Sequence, residues 1–157
     1  MKSAYFDTIG LIERLHRYFL EVLKTALDRR AILDINNVQA LILYNIGNDE
    51  LTVGELTARG YYLGSNVSYN VKKMVENGYL GQERSPHDRR SVRVRLSEKG
   101  LDLREKISQM FERQLVALEK AGFSDEELMK ANDTMRRLER FWSASLDYSG
   151  FPATSAA

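Results

Sequence analysis

Arginine is concentrated in one short segment of the chain, SPHDRRSVRVRL at positions 85–96, where four guanidinium groups fall within seven residues. A guanidinium presents several N–H donors in one plane, a geometry that suits phosphate and carboxylate oxygens. So many cations on a short length of chain predict the recognition of a polyanion. Asp88 stands among them, where by itself it would repel phosphate. Two residues from Arg90, it can instead pair with that guanidinium and fix its direction.

The net charge of +1 conceals an uneven distribution along the chain. Residues 59–99 contain nine Lys or Arg and four Asp or Glu, which gives a net charge of +5. The remaining 14 basic and 18 acidic residues give the two ends a combined net charge of −4. A basic centre between acidic arms indicates that the centre binds a polyanion such as nucleic acid, while the arms do not touch it.

The composition excludes several kinds of chemistry. The chain has no cysteine, which rules out disulfides, thiolate metal sites and thiol-based redox sensing. Its two histidines, His16 and His87, are far apart, and there is no phosphate-binding loop or nucleophile elbow, so we expect no metal site, no catalytic residue and no cofactor. We see no signal peptide and no apolar run near the ~20 residues that span a bilayer, so we expect a cytoplasmic protein without membrane contact.

Hydrophobic spacing and helix caps indicate the elements that must position the cations. The helices predicted in this way cover 7–31, 36–46, 52–60, 66–77, 98–121 and a last segment that starts at 124. Three of them start with a capping box, formed by Asn36 with Gln39, Thr52 with Glu55, and Ser124 with Glu127. The first helix is predicted to turn these apolar residues inward: Ile12, Leu15, Phe19, Val22, Ala26 and Leu27.

Two short helices joined by the tight link GYYLGS are typical of a helix-turn-helix. In the second of these helices, at 66–77, the residues predicted to face inward are Val67, Val71 and Met74, and Ser65 is the expected N-cap. A polar face then points outward, mostly in the N-terminal half, which enters the major groove of DNA in such motifs. Asparagine can pair with an adenine edge, whereas lysines are expected to contact phosphates.

A two-stranded hairpin is predicted to follow directly, with strands at 79–84 and 91–96. Its second strand alternates, so that Val92, Val94 and Leu96 face the domain body and Arg93 and Arg95 lie on the opposite face. A helix-turn-helix followed by a basic hairpin is a winged helix. The predicted fold class is therefore mainly α with a small β-wing, in which N- and C-terminal helices flank the winged helix-turn-helix lobe.

The order and spacing of these residues resemble the MarR family of transcription regulators. The wing of that family is marked by D-x-R and a small residue, here at 88–91, then by Leu96 and Ser97, and then by Gly100. Upstream, ENGYL at 76–80 is similar to the end of the family's recognition helix. The resemblance implies one domain over 1–147, with a lobe at about 36–97, dimerisation helices at about 7–31 and 98–147, and a disordered tail at 148–157.

The resemblance also implies partners and site residues. We expect a homodimer that binds a pseudo-palindromic operator in double-stranded DNA, most often as a repressor, with Arg90 as the minor-groove probe. The residues predicted to contact DNA are Ser65, Asn66, Ser68, Tyr69, Lys72, Lys73, Arg84, Asp88, Arg89, Arg90 and Arg93. Related proteins often bind a small aromatic or phenolic effector between the dimer helices and the lobe. Tyr44 and His16 are candidates there, but core packing explains both equally well, so the ligand residues are unknown.

Other interpretations stay open at this point. A winged helix can also serve as a protein-docking module without an operator, although arginine at the wing tip and a polar recognition face favour DNA. Tyr61 and Tyr62 either touch DNA or pack between the short helices, and Tyr69 either contacts DNA or packs on the wing. The last helix carries an apolar seam with coiled-coil-like spacing, which favours subunit packing over intramolecular core. The seam consists of Leu128, Ala131, Met135, Leu138, Trp142 and Ser145.

Pairing between Asp88 and Arg90 predicts that Asp88→Ala weakens DNA binding, even though the substitution makes the wing more positive. The reason is that Arg90 would lose the carboxylate that fixes its direction. Titration of a DNA fragment with the two proteins would measure the effect, and tighter binding by the alanine variant would contradict the pairing.

Overall fold

The computed structural model describes residues 1–60, 64–84 and 92–147, and six helices and three short strands lie within them. In chain order these are α1 (Lys2–Asp28), α2 (Asn37–Ile46), β1 (Leu51–Thr52), α3 (Val53–Gly60), α4 (Gly64–Glu76), β2 (Leu80–Arg84), β3 (Val92–Leu96), α5 (Glu98–Lys120) and α6 (Asp125–Asp147). The chain divides into two units, Met1–Phe111 and the residues from Glu112 onward, and α5 runs through the boundary. The fold class predicted from the sequence, mainly α with a small β-wing, is confirmed.

All three predicted capping boxes are present. In each, the cap side chain accepts a hydrogen bond from the backbone N–H three residues on, and the Gln or Glu there accepts from the cap's own N–H. The Thr52 N–H lies 2.7 Å from Glu55 Oε2 and lowers the pKa of that carboxyl below its usual range. Each box satisfies helix-end N–H groups that would otherwise have no partner. The caps therefore fix where α2, α3 and α6 begin.

The sheet has three antiparallel strands in the order β1-β3-β2, not the two that the sequence predicted. Strand β1 is only two residues long, with Leu51 opposite Val94 and Thr52 opposite Arg93. Two residues are too few to show alternation, which explains why the pattern did not reveal this strand. Strand β1 pairs with the edge of β3 opposite to β2, so β3, which carries Arg93, is the central strand of the sheet.

Several predicted details of the helices are wrong. Helix α1 starts five residues earlier than expected and ends at Asp28, and Ala31, with a positive φ of 53°, lies in the turn beyond. Within α1, Leu15 (59% exposed) and Val22 (44% exposed) do not face the core, whereas Leu27 is buried as predicted, and Leu23, which was not predicted to face inward, is buried as well. The helix has apolar residues on more than one face, so spacing alone did not identify the buried one.

The start of α4 also differs from its prediction. Ser65 is not the residue before the helix, because α4 begins at Gly64. Tyr61, Tyr62, the loop residues 85–91 and the tail 148–157 lie outside the described residues, as does the side chain of Ser65.

The core of the first unit lies where α1, α2, α3, α4, α5 and the sheet meet. Its most deeply buried side chains are Leu23, Ile42, Leu43, Ile46, Leu56, Val67, Met74 and Val94. Because each helix and strand of this unit contributes to a single cluster, the position of α4 depends on the whole of it.

In the second unit, the apolar residues of the predicted seam are accessible in the single chain. Leu128 is 37% and Met135 is 47% exposed, and Leu138 and Trp142 are partly covered. Leu118, near the end of α5, is also 37% exposed. Throughout the described ranges, no helix is long and apolar enough to cross a membrane.

Candidate nucleic-acid interface

Helix α4 has an apolar back and a polar front, as its spacing predicted. Val67, Val71 and Met74 are 0–2% exposed and pack into the core. The opposite side of the helix presents Asn66, Ser68, Tyr69 and Lys72, all of them exposed. Amide, hydroxyl and ammonium groups on one accessible helix face can donate to base edges and phosphates.

Asn70 of α4 is polar but buried, and the sequence analysis did not predict its burial. Asn70 is only 9% exposed, and its side chain accepts a hydrogen bond of 3.1 Å from Nε2 of Gln39 on α2. An asparagine on the edge of an apolar helix face was the one available signal, because such a residue needs a buried partner. The sequence did not indicate which residue that partner was.

The cations of the interface are not equivalent. Nζ of Lys73 lies 2.9 Å from Glu76, and Nη2 of Arg95 lies 2.8 Å from Glu83 on the neighbouring strand. Lys72, Arg84 and Arg93 are exposed and, within the described part of the chain, form no ion pair. Among the described residues, these three cations therefore have charge that is available to phosphate without first breaking an ion pair.

The C-terminal end of α4 is anchored by a polar cluster around Asp34, in the link between α1 and α2. Asp34 accepts hydrogen bonds of 2.5 Å from the Tyr79 hydroxyl and 2.5 Å from Lys99 Nζ, and its backbone carbonyl accepts from Asn77. Lys99 also lies 4.1 Å from the Tyr79 ring centroid. The hydrogen bond from Lys99, followed by the one from Tyr79, holds the pKa of the Asp34 carboxyl below its ordinary value. Burial, followed by the hydrogen bond to Asp34, raises the pKa of the Tyr79 hydroxyl.

The start of α5 is joined to the same place. Ser97 Oγ accepts from the Gly100 N–H at 3.1 Å and donates to the Gly78 carbonyl at 2.6 Å, while the Ser97 N–H donates to the Tyr79 carbonyl at 3.0 Å. A Cβ on Gly100 would lie 2.3 Å from the Tyr79 carbonyl oxygen. The Ser97 and Gly100 positions of the wing pattern are thus explained by packing between α5 and the end of α4.

A second cluster, which we call the aromatic junction, consists of Phe19, Tyr44, Phe111 and Arg104. The Phe111 ring lies 6.0 Å from Phe19 and 5.1 Å from Tyr44 between centroids, and the Arg104 guanidinium lies 5.8 Å from the Tyr44 centroid. Buried Nε of Arg104 has no hydrogen-bond partner among the described residues. Tyr44 therefore belongs to this cluster, whereas His16 is exposed on α1.

The predicted wing tip falls on residues that the structure does not describe. Asp88, Arg89 and Arg90 lie there, so their expected contacts with DNA stay predictions. His87 also lies outside the described residues. Across the ranges that are described, no group of three or more His, Cys, Asp or Glu side chains is arranged to hold a metal ion.

Comparison with known proteins agrees with this architecture. A family model described as a winged helix DNA-binding domain matches residues 35–100. The exopolysaccharide II synthesis transcriptional activator ExpG of Rhizobium meliloti (strain 1021) is 38% identical over 145 residues, which cover 92% of this chain and 75% of that protein.

Solved structures share the fold. Streptococcus pneumoniae FabT in complex with DNA has a TM-score of 0.71 at 20% identity, over 89% of this chain and 98% of that one. Staphylococcus aureus MarR in complex with salicylate and kanamycin has a TM-score of 0.73 at 19% identity, over 90% of this chain and 94% of that one.

The difference between paired and unpaired arginines on β3 predicts different effects of two substitutions. Arg93→Ala should weaken binding to any DNA sequence by several-fold and reduce the slope of log K against log salt by about one, as expected for one lost phosphate contact. Arg95→Ala is the matched control on the same face of the same strand, and its effect should be much smaller because Glu83 already neutralises that charge. Equal losses in the two variants, measured by titration at several salt concentrations, would contradict this assignment.

The Asp34 cluster predicts a pH-dependent stability. The folded-state pKa of Asp34 lies below its ordinary value of 3.8, so its contribution is present above that pH and is lost as the pH falls through the folded pKa. Asp34→Asn should lower the Tm at pH 7 by about 3 °C, since a half-exposed ion pair contributes ~1 kcal/mol or less. Asp102→Asn, which removes a local pair with Lys106 on α5, is the control and should have a smaller effect. Thermal melts should show the Asp34 difference shrinking below pH 3.8; a difference independent of pH would contradict the account.

Proposed function

The chain belongs to the MarR family of winged-helix transcription regulators, and we propose that it acts in the cytoplasm as a homodimer on a pseudo-palindromic operator in double-stranded DNA. The observation that carries the proposal is the construction of α4. Its polar front is exposed along the helix, while its back is fixed in the core by Val67, Val71 and Met74. A rigid helix with an accessible polar face is what reading of base edges requires.

Two further features support DNA as the partner of this face. Arg84 at the end of β2 and Arg93 on β3 are exposed and unpaired within the described residues, so the wing strands supply available positive charge beside the helix. A surface that docks a protein has less need for arginines without an ion-pair partner next to asparagine, serine and tyrosine. We accordingly place the protein-docking interpretation second and propose no enzymatic activity.

Dimer formation is supported by apolar surface outside the lobe. On α1, Leu11, Leu15, Tyr18 and Val22 are exposed at spacings of three and four, which places them along one side of the helix. On α6, Leu128 and Met135 form part of a similar row. Such rows are costly to leave in water and fit the packing of a second copy. Two recognition helices in successive major grooves would then lie about 34 Å apart.

The direction of regulation depends on where the operator lies relative to the promoter. We propose repression, in which the bound dimer covers promoter DNA. Activation is the second candidate, because the relative that is 38% identical is named a transcriptional activator. The same dimer can serve either role, since a site upstream of the promoter leaves the promoter itself open.

The proposal is tested by selection of genomic fragments with the purified protein, followed by titration of the most enriched fragment at two salt concentrations. We expect an inverted repeat bound by two chains. If each chain neutralises about four phosphates, the slope of log K against log salt should be roughly −7. Arg90→Ala should weaken this binding. No enriched sequence and a slope near zero would contradict operator binding and favour the docking module.

We further propose that a small aromatic carboxylate regulates the protein by binding at the aromatic junction. Arg104 supports this, because its buried Nε lacks a partner within the described residues and its Nη1 lies a long 3.4 Å from Asn48 Oδ1. A carboxylate could satisfy the guanidinium while a ring packs on Tyr44 or Phe111. S. aureus MarR, with the same fold, was solved in complex with salicylate, which makes salicylate a suitable probe. Such a ligand regulates only if it favours one arrangement of the recognition helices.

Salicylate should therefore release the wild-type protein from its operator, and Arg104→Gln should raise the concentration needed by roughly tenfold, the loss expected when one charge-assisted contact is removed. Lys106→Gln is the control, because it removes a cation two residues away on α5 that is paired with Asp102. Operator release would be followed by fluorescence anisotropy. An unchanged midpoint in the Arg104 variant, or no release of the wild type, would contradict the site.

A further inference from the structure

A relay of four amide groups runs through the interior from the start of α2 to the recognition helix α4. The Asn36 N–H donates to Gln39 Oε1 at 3.1 Å, and Gln39 Nε2 donates to Asn70 Oδ1 at 3.1 Å. Asn70 Nδ2 then donates to the backbone carbonyl of Asn66 at 2.8 Å. Gln39 is 7% and Asn70 is 9% exposed, so water cannot readily replace the hydrogen bond between these two side chains. The relay ends on the residue of α4 that the sequence predicted to read a base.

Backbone groups at the two ends fix the direction of every bond in the relay. The Asn36 N–H can only donate, so Gln39 presents Oε1 to it and keeps Nε2 for Asn70. The Asn66 carbonyl can only accept, so Asn70 presents Nδ2 to it and keeps Oδ1 for Gln39. One arrangement of the two side chains therefore satisfies all four groups. Turning α4 about its axis would break a buried hydrogen bond.

The apolar contacts of α4 do not impose the same restriction. Val67, Val71 and Met74 are held by burial, which is non-directional and changes little when the helix turns by a few degrees. Hydrogen bonds have narrow limits of distance and angle. With side chains, a helix has a radius of about 5–6 Å, so a rotation of about 20° moves its outer groups by roughly 2 Å. That displacement is enough to lose a contact with a base edge.

We propose that Gln39 and Asn70 are positioning residues for sequence discrimination, which set the rotation of α4 and thereby the aim of Asn66 and its exposed neighbours at the base edges. The inference rests on the proposed function, because it concerns how the same helix reads an operator. Neither residue needs to touch DNA. Phosphate contacts from Lys72 and the wing strands tolerate small rotations better, since lysine and arginine side chains are long and flexible. Loss of the relay should therefore affect discrimination more than general affinity.

The experiment compares operator discrimination with stability in four proteins: wild type, Asn70→Leu, the double variant Gln39→Met with Asn70→Leu, and Asn36→Ala. Discrimination is the ratio of dissociation constants for the selected operator and for the same operator with one base pair changed in each half-site. Stability is the Tm. The single Asn70 variant leaves the Gln39 donor buried without a partner, whereas the double variant removes both polar groups and should recover stability. Asn36→Ala removes a helix cap but leaves the bond between Gln39 and Asn70 intact.

We expect Asn70→Leu to reduce the discrimination ratio by roughly tenfold, about the cost of one wrong base pair, with little change in binding to unrelated DNA. The double variant should regain the wild-type Tm and keep the reduced ratio. Asn36→Ala should lower the Tm and keep the wild-type ratio. If discrimination recovers together with Tm in the double variant, or falls equally in Asn36→Ala, the pair serves stability alone and the inference is wrong. A wild-type protein that shows no discrimination would instead overturn the proposed function, and the inference with it.

Discussion

Helix α5 begins so close to the end of the recognition helix that no side chain fits between them. A Cβ on Gly100 would lie 2.3 Å from the Tyr79 carbonyl oxygen. Ser97 donates hydrogen bonds to the backbone carbonyls of Gly78 and Tyr79 and so joins the start of α5 to this segment. Close approach of this kind allows the Asp34 carboxylate to reach Tyr79 and Lys99 together. The end of α4, the start of β2 and the start of α5 are therefore one rigid corner, and the wing strands leave from it.

The recognition helix is held by directional bonds at its middle and just beyond its C-terminus. Just beyond its C-terminus, Asn77 and Tyr79 bond to Asp34, and at its middle Asn70 bonds to Gln39. Burial of the apolar back supplies most of the attraction between α4 and the core, but it does not specify rotation. Polar bonds at two places along the helix add that specification. A surface that must match base edges to within a fraction of an ångström needs both.

The sequence predicted what is encoded locally and missed what is encoded at a distance. Caps such as Asn36 with Gln39 span three residues, so their pattern is visible in the chain, and all three were present. Alternation on β3 and the inward face of α4 were likewise predicted correctly. The bond from Lys99 to Asp34 joins residues 65 apart, and the bond from Gln39 to Asn70 joins residues 31 apart, so neither has a signature in one sequence. The neutralisation of Arg95 by Glu83 was missed because it depends on the register of the hairpin.

In the function proposed above, α4 reads the major groove while the wing lies along the minor groove. Methylation interference on the selected operator tests it directly, because dimethyl sulfate modifies guanine N7 in the major groove and adenine N3 in the minor groove. We expect interference by guanine methylation in two half-sites about 10 base pairs apart, centre to centre, with adenine interference at their outer flanks. Interference confined to minor-groove adenines, or none at any position, would contradict the account.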